Sequence, residues 1–182
     1  MIIALTGTPG TGKTTICNFL IKSFKIIDLN KLVIDEGLHF GQDEERGSLI
    51  ADLDALNEKV HAILKDETST VVIEGHLSHY LSGYDAIIVL RTRPEVLGKR
   101  LETRGYTREK ITENIEAEAL DVILIEAVEL NEKVYEVETT TFSPIQASLE
   151  IQSIIQLLEA EDFGQLEKYL PGRFDWSEEV FL

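Results

Sequence analysis

Nine residues near the start, Gly7-Thr8-Pro9-Gly10-Thr11-Gly12-Lys13-Thr14-Thr15, constrain this 182-residue chain more than any other stretch. They follow Ile2-Ile3-Ala4-Leu5-Thr6, an apolar run that reads as a buried strand. They precede Ile16-Cys17-Asn18-Phe19-Leu20-Ile21, which reads as a helix. The spacing Gly7…Gly12-Lys13-Thr14 is that of a phosphate loop, in the strand-to-helix setting that such a loop needs. Glycines let the backbone turn tightly and bring its N–H groups against an anion. The helix that starts near Lys13 adds free N–H groups and a positive dipole end. In this arrangement Lys13 reaches the outer phosphates and the Thr14 hydroxyl binds Mg²⁺. Nucleotide binding is therefore the first expectation.

Further along, short β-branched runs alternate with helical periodicity. Strands are expected at Phe24-Lys25-Ile26-Ile27-Asp28-Leu29, Thr70-Val71-Val72-Ile73-Glu74, Asp85-Ala86-Ile87-Ile88-Val89-Leu90 and Lys133 to Thr139. Leu49, Leu53, Leu56, Val60 and Leu64 recur at helical spacing, as do Ile111 to Leu130 and the stretch from Pro144 through Leu158. Pro94 opens another helix, which Gly105 interrupts. The alternation predicts an α/β fold, a parallel sheet covered on both faces, with ligands at the carboxyl ends of the strands. The length fits one domain, residues 1–182, with a small inserted segment. The turn-rich stretch 30–48, which carries Asp43-Glu44-Glu45, falls where small-molecule kinases insert an acceptor-binding segment.

The net charge of −16 argues against broad nucleic-acid binding, which needs cations to displace counterions, and no direct sequence-specific nucleic-acid partner is expected. No apolar run reaches membrane-span length, so no membrane is expected as a partner. The single cysteine, Cys17, provides no disulfide framework and fits a reducing, cytoplasmic setting, with Cys17 as a packed core residue. Against this acidic background, residues 91–110 hold Arg91, Arg93, Lys99, Arg100, Arg104, Arg108 and Lys110, seven of the seventeen cations. Arg100 and Arg104 share a helix face. Arginine's planar fork suits a phosphoryl group, and Gly105 offers a hinge, so a closing lid at about 99–109 is expected. The alternative is a solvated basic helix face. The carboxylates cluster elsewhere: nine in residues 113–138 and seven in the tail 159–182, the latter with Phe174, Trp176 and Phe181. That mixture can dock a basic protein, or the tail can pack on its own domain.

Glu74 ends the third strand. It can hold Mg²⁺ through water or orient a nucleophile, or it can serve as a loop carboxylate. His76 can position a water or touch an acceptor. Asp28-x-Asn30 can contact an acceptor or Mg²⁺, or cap a helix.

The phosphate loop, Glu74-Gly75-His76, and the run Arg100-Leu101-Glu102-Thr103-Arg104-Gly105-Tyr106 with Glu113-Asn114-Ile115-Glu116-Ala117-Glu118 together resemble the adenylate kinase isoenzyme 6 family. The resemblance covers residues 1 to about 160. It implies a P-loop NTPase three-layer sandwich of the nucleoside monophosphate kinase type, with strand order 2-3-1-4-5. It implies phosphoryl exchange between ATP and AMP with Mg²⁺, weak ATP hydrolysis, and help in small ribosomal subunit maturation by binding a basic ribosomal protein. Carried over by motif, Gly10, Gly12, Lys13, Thr14 and Thr15 would bind ATP phosphates. Arg100 would lie in the lid and contact ATP, and as catalytic groups Lys13 and Arg100, with Arg104, would stabilise charge on the moving phosphoryl, joined by Glu74 and His76; Ser143 in Phe142-Ser143-Pro144 would sit by the adenine. AMP would draw on residues of about 28–51. Two features depart from the pattern: Glu74 stands where the family often has Asp, and the Gly-Phe-Pro-Arg motif of ordinary adenylate kinases is absent. An assembly ATPase and a shikimate-type kinase using Asp28-x-Asn30 remain as alternatives.

Overall fold

The structure is a computed structural model that describes residues 1–43 and 48–181; of Val180 and Phe181 it describes the backbone only. The expected acidic residues Glu44 and Glu45, and the Phe181 side chain, thus lie outside the described part.

Five strands pair in parallel into one sheet: β1 (Ile2–Thr6), β2 (Lys25–Asp28), β5 (Val71–Glu74), β6 (Ala86–Arg91) and β7 (Val134–Glu138). Their spatial order is β2-β5-β1-β6-β7. Numbered within this sheet alone it runs 2-3-1-4-5; the labels shift because a separate hairpin, β3 (His39–Gln42) with β4 (Leu49–Ala51), intervenes in the chain. Strand alternation sorts side chains to the two faces. Ile3 and Leu5 of β1, Val72 of β5, and Ile88 and Leu90 of β6 point to one side. There they meet α1 (Lys13–Leu20) and α7 (Pro144–Glu159) through Ile16, Leu20, Ile151, Ile154 and Ile155. On the other side, Val71 and Ile73 pack on α2 (Leu29–Glu36) and α3 (Leu53–Leu64), and Ala4, Ile87 and Val89 pack on α6 (Val122–Leu130). β1 and β6 are buried throughout apart from Ile2, so they read as continuous apolar runs.

Two expectations are corrected. The helix expected from Leu49 starts at Leu53: Asp52 caps it by accepting from the Ala55 amide at 3.0 Å, and Leu49–Ala51 is strand β4. The period-3.6 pattern survives because β4 feeds its apolar residues straight into the helix. The long helix expected from Ile111 to Leu130 is two helices, α5 (Arg108–Ala119) and α6. Asp121 breaks it in the left-handed region at φ 56°, and its carboxylate is hydrogen-bonded to Arg91. Hydrophobic periodicity carries no signal for such a tertiary bond.

The tail folds back. Phe174 stacks on Trp176 at 5.5 Å between ring centroids, and the Arg91 guanidinium lies 5.1 Å from the Trp176 ring. The Arg173 amide donates to Glu136 at 3.0 Å, and Arg93 pairs with Glu179 at 2.8 Å. Phe174 and Trp176 are therefore engaged with the chain's own domain, not presented as free anchors.

Gly7 shows how tightly β6 holds the loop. Its φ is +135°, and an added Cβ would stand 2.5 Å from the Leu90 carbonyl oxygen. Gly105, at φ +74°, would meet nothing within 4 Å. In denaturant melts, Gly7→Ala should lose about 3 kcal/mol of stability, from backbone strain plus overlap, and Gly105→Ala about 1 kcal/mol from strain alone. Equal losses would contradict the role given to the Leu90 contact.

Candidate active site

β1 delivers the chain into the loop, and Gly12 is the N-cap of α1, so the loop wraps the start of that helix. Lys13 Nζ donates to the Gly7 and Thr8 carbonyls at 2.6 and 3.2 Å, curling the loop around its own ammonium. Burial pulls the Lys13 pKa down from 10.5 to about 8; the nearby Glu74 and Glu118 carboxylates only partly oppose this. Thr14 Oγ1 donates to Glu74 Oε1 at 3.0 Å. Glu74 Oε2 is buried without a hydrogen-bond partner among the described residues, and burial, with Asp28 second, pushes the Glu74 pKa up. An unpaired buried carboxylate oxygen costs about 1–3 kcal/mol. A hydrated divalent cation between Thr14 and Glu74 would remove that cost, so this hydroxyl and carboxylate fit the Mg²⁺ expected with ATP. Among the described residues no group of three or more His, Cys, Asp or Glu side chains could hold a metal.

Two cavities flank the loop. The smaller, about 330 Å³, lies between Gly10, Gly12, Thr15, Arg100, Thr139, Phe142 and Pro144. The larger, about 600 Å³, runs from Gly10, Gly12, Lys13 and Thr14 to Asn30 and Val33 of α2, Leu49 and Ala51 of β4, His76, and Lys110 and Asn114 of α5. Gly10, Gly12 and Arg104 line both.

The sequence-derived candidates fall as follows. Gly10, Gly12, Lys13, Thr14, Glu74 and His76 come together at the carboxyl ends of β1 and β5. Thr15 faces the smaller cavity. Arg100 faces it too, its guanidinium fixed on the Thr139 carbonyl at 2.6 Å and on the Thr92 and Thr139 hydroxyls at 3.3 Å. Phe142 and Pro144 line that cavity, whereas the Ser143 hydroxyl accepts from the Gln146 amide at 3.3 Å and caps α7. Burial lowers the His76 pKa to about 4, so its imidazole is neutral near pH 7. Asp28 caps α2 through the Lys31 amide at 3.0 Å, while Asn30 faces the larger cavity. Cys17 is buried, its thiol pushed up to about 12, as expected of a core residue.

Arg91, grouped by sequence with the lid cations, belongs elsewhere. It is 1% exposed and bonded to Glu118, Asp121 and Glu136. Sequence reading missed His79, whose ring bonds Thr6 Oγ1 at 2.9 Å and Glu126 at 3.2 Å. It also missed the α5 wall of the larger cavity, for which the Lys110…Glu113-Asn114 spacing on one helix face was the available signal.

A parallel sheet with its phosphate loop after the central strand, and a cavity on each side of that loop, is the arrangement of a nucleotide kinase of the P-loop type. Comparison agrees. Residues 3–121 match a family described as an AAA domain. A Methanosarcina mazei protein named "Putative adenylate kinase" is 42% identical over 197 residues, covering 99% of this chain and 100% of that protein. Proteins of the same name from Natronomonas pharaonis (45% identical; 92% and 97% covered) and Thermococcus kodakarensis (42%; 98% and 94%) are also similar. The chain belongs to this AAA-domain family, with these archaeal proteins as relatives. A crystal structure of shikimate kinase from Bacteroides thetaiotaomicron aligns with a TM-score of 0.55 at 21% identity, over 87% of this chain and 98% of that one, a likeness of fold alone.

The Lys13 shift sets a pH dependence. Its folded value lies below 10.5, so between about 8 and 10.5 the unfolded chain binds more protons and the empty protein gains stability as pH rises. ATP affinity should move oppositely, weakening as pH rises above about 8 and the ammonium is lost. Calorimetric titration from pH 7 to 9.5 should show this for the wild type and a flat profile for Lys13→Met. A flat wild-type profile would contradict it.

Proposed function

We propose that this chain is an adenylate kinase that converts ATP and AMP to two ADP. The observation that carries the reading is the sharing of Gly10, Gly12 and Arg104 by the two cavities. ATP lies with its adenine by Phe142 and Pro144, and the monophosphate lies in the larger cavity against α2, β4 and α5. The residues of about 28–51 then serve as the acceptor segment, and the Arg104–Thr107 connection between α4 (Pro94–Thr103) and α5 is the moving part of the lid. The acceptor wall is mostly apolar, with Leu29, Val33, Ile34 and Leu49, which suits several monophosphates.

A phosphate oxygen of AMP attacks the terminal phosphorus of ATP, the bond from that phosphorus to the bridging oxygen breaks, and ADP leaves. Lys13 and Arg104 spread the developing charge, and the loop amides hold the donor in line. Arg100, already fixed on Thr92 and Thr139, holds ATP. Thr14 and, through water, Glu74 would hold Mg²⁺, which would supply neutralisation of the phosphate charge.

ATP hydrolysis is the second activity of this reading. Neutral His76 beside the loop can orient a water in an unfilled acceptor cavity. The shikimate-type alternative is not adopted, because Asp28 is committed to capping α2. The isoenzyme 6 assignment, with a basic small-subunit ribosomal protein as partner, rests on the resemblance and on the exposed face of α6, where Glu129 stands near Ile125 and Val128, with Glu132 just beyond. That acidic surface is smaller than the sequence implied, since Glu118, Asp121 and Glu136 are spent on Arg91. A cytoplasmic setting fits the one buried cysteine.

ATP turnover should rise strongly on adding AMP, with ADP formed at two per ATP consumed. Turnover indifferent to AMP would leave hydrolysis alone. Arg104→Ala should lower kcat for transfer by about 10³-fold, while Arg100→Ala should chiefly raise KM for ATP. The reverse pattern would exchange their roles. His76→Ala should cut hydrolysis without AMP more than transfer to AMP, because AMP is a positioned nucleophile and water is not. Equal losses in the two assays would remove His76 from water orientation.

A further inference from the structure

Beneath the loop lies a buried polar cluster that the chemistry above does not use. Glu118 on α5 is 2% exposed, and both its oxygens are occupied. Its Oε2 accepts from Thr8 Oγ1, within the phosphate loop. Its Oε1 accepts from the Thr92 amide at 2.9 Å and from Arg91 Nε at 3.1 Å. Arg91 also binds the Glu118 carbonyl at 3.2 Å and Glu136 at 2.5 Å, and its outer face is covered by the ring of Trp176. Thr8 matters for the loop itself: its carbonyl accepts from Lys13 Nζ, from the Thr11 amide at 3.2 Å and from the Thr11 hydroxyl at 2.9 Å. One carboxylate thus joins the loop, the end of β6 and, through Arg91, the tail.

We propose that Glu118 is a positioning residue for the phosphate loop, tying Thr8 to the Arg91 cluster that the C-terminal tail covers. This rests on ATP occupying the loop, and not on which acceptor is used. A buried carboxylate that accepts from a neutral hydroxyl while paired with a guanidinium has a fixed direction, so the Thr8 side chain is held at one point. Lys13 turns from Gly7 and Thr8 toward phosphates when ATP arrives. The Thr8 carbonyl then loses its ammonium partner, and that change would pass through the fixed Thr8–Glu118 bond and Arg91 to Trp176. The basic residues at the start of α5 and the loop anchor near its end also lie on one helix, so lid closure and loop geometry move together.

Trp176 is the single tryptophan, which makes the connection readable. Thr8→Val keeps the shape and removes the hydroxyl; Thr8→Ser keeps the hydroxyl. Glu118→Asp keeps the charge that Arg91 needs but is one methylene shorter, so it withdraws from Thr8. Binding of a non-hydrolysable ATP analogue, followed by calorimetry, should change Trp176 emission in the wild type and in Thr8→Ser. In Thr8→Val and Glu118→Asp the analogue should still bind, the emission change should be lost, and kcat should fall about tenfold or more with a smaller change in KM. Thr8→Ser should recover most of that loss. If either damaged variant fails to fold, the other decides. An unchanged emission response and kcat in the folded variants, or equal damage in Thr8→Ser and Thr8→Val, would overturn the proposal while leaving the kinase reading intact. A wild type that does not bind the analogue would overturn both.

Discussion

The phosphate loop is closed around a buried ammonium. Lys13 opens α1, and its ammonium folds back into the turn before it, donating to the Gly7 and Thr8 carbonyls. A cation taken out of water this far loses solvation that two carbonyls do not fully replace, and its lowered pKa registers the difference. Phosphate oxygens would make good the deficit. Every neighbouring element serves to keep this turn in place: β6 touches Gly7, Leu97 and Leu101 of α4 crowd Gly10, and Glu118 of α5 grips Thr8.

A second unsatisfied group lies opposite the first. Glu74 Oε2 is buried without a hydrogen-bond partner among the described residues, while Oε1 accepts from Thr14 at 3.0 Å and the Glu74 charge acts on Lys13. An under-solvated cation and an under-satisfied carboxylate near one another would suit the polyphosphate and divalent ion of the proposed reading. Such deficits lower the stability of the empty protein and appear as affinity when the ligand supplies the missing partners.

Much of this was legible in the sequence, because the loop and the buried parallel strands depend on local pattern. Gly7, Gly12, Lys13 and Thr14 announce their geometry by spacing, and the β-branched runs at Val71 to Ile73 and Ile87 to Val89 announce burial on both faces. What stayed hidden was tertiary choice. Arg91 and Arg100 are both arginines of one basic stretch. Only the partners differ: three acidic side chains from α5, the α5–α6 turn and β7 for Arg91, a cavity wall for Arg100. Asp121 ends a helix whose apolar rhythm continues past it. Ser143 sits between two residues that line the smaller cavity, yet its hydroxyl turns to cap α7.

In the proposed adenylate kinase, two nucleotides meet end to end across Gly10, Gly12 and Arg104. Two adenosines joined by five phosphates would span both cavities at once. Calorimetric titration should give one molecule bound per chain, at least about 100-fold tighter than ATP, because the second half binds at a high effective concentration. Binding no tighter than ATP, or two molecules per chain, would contradict it.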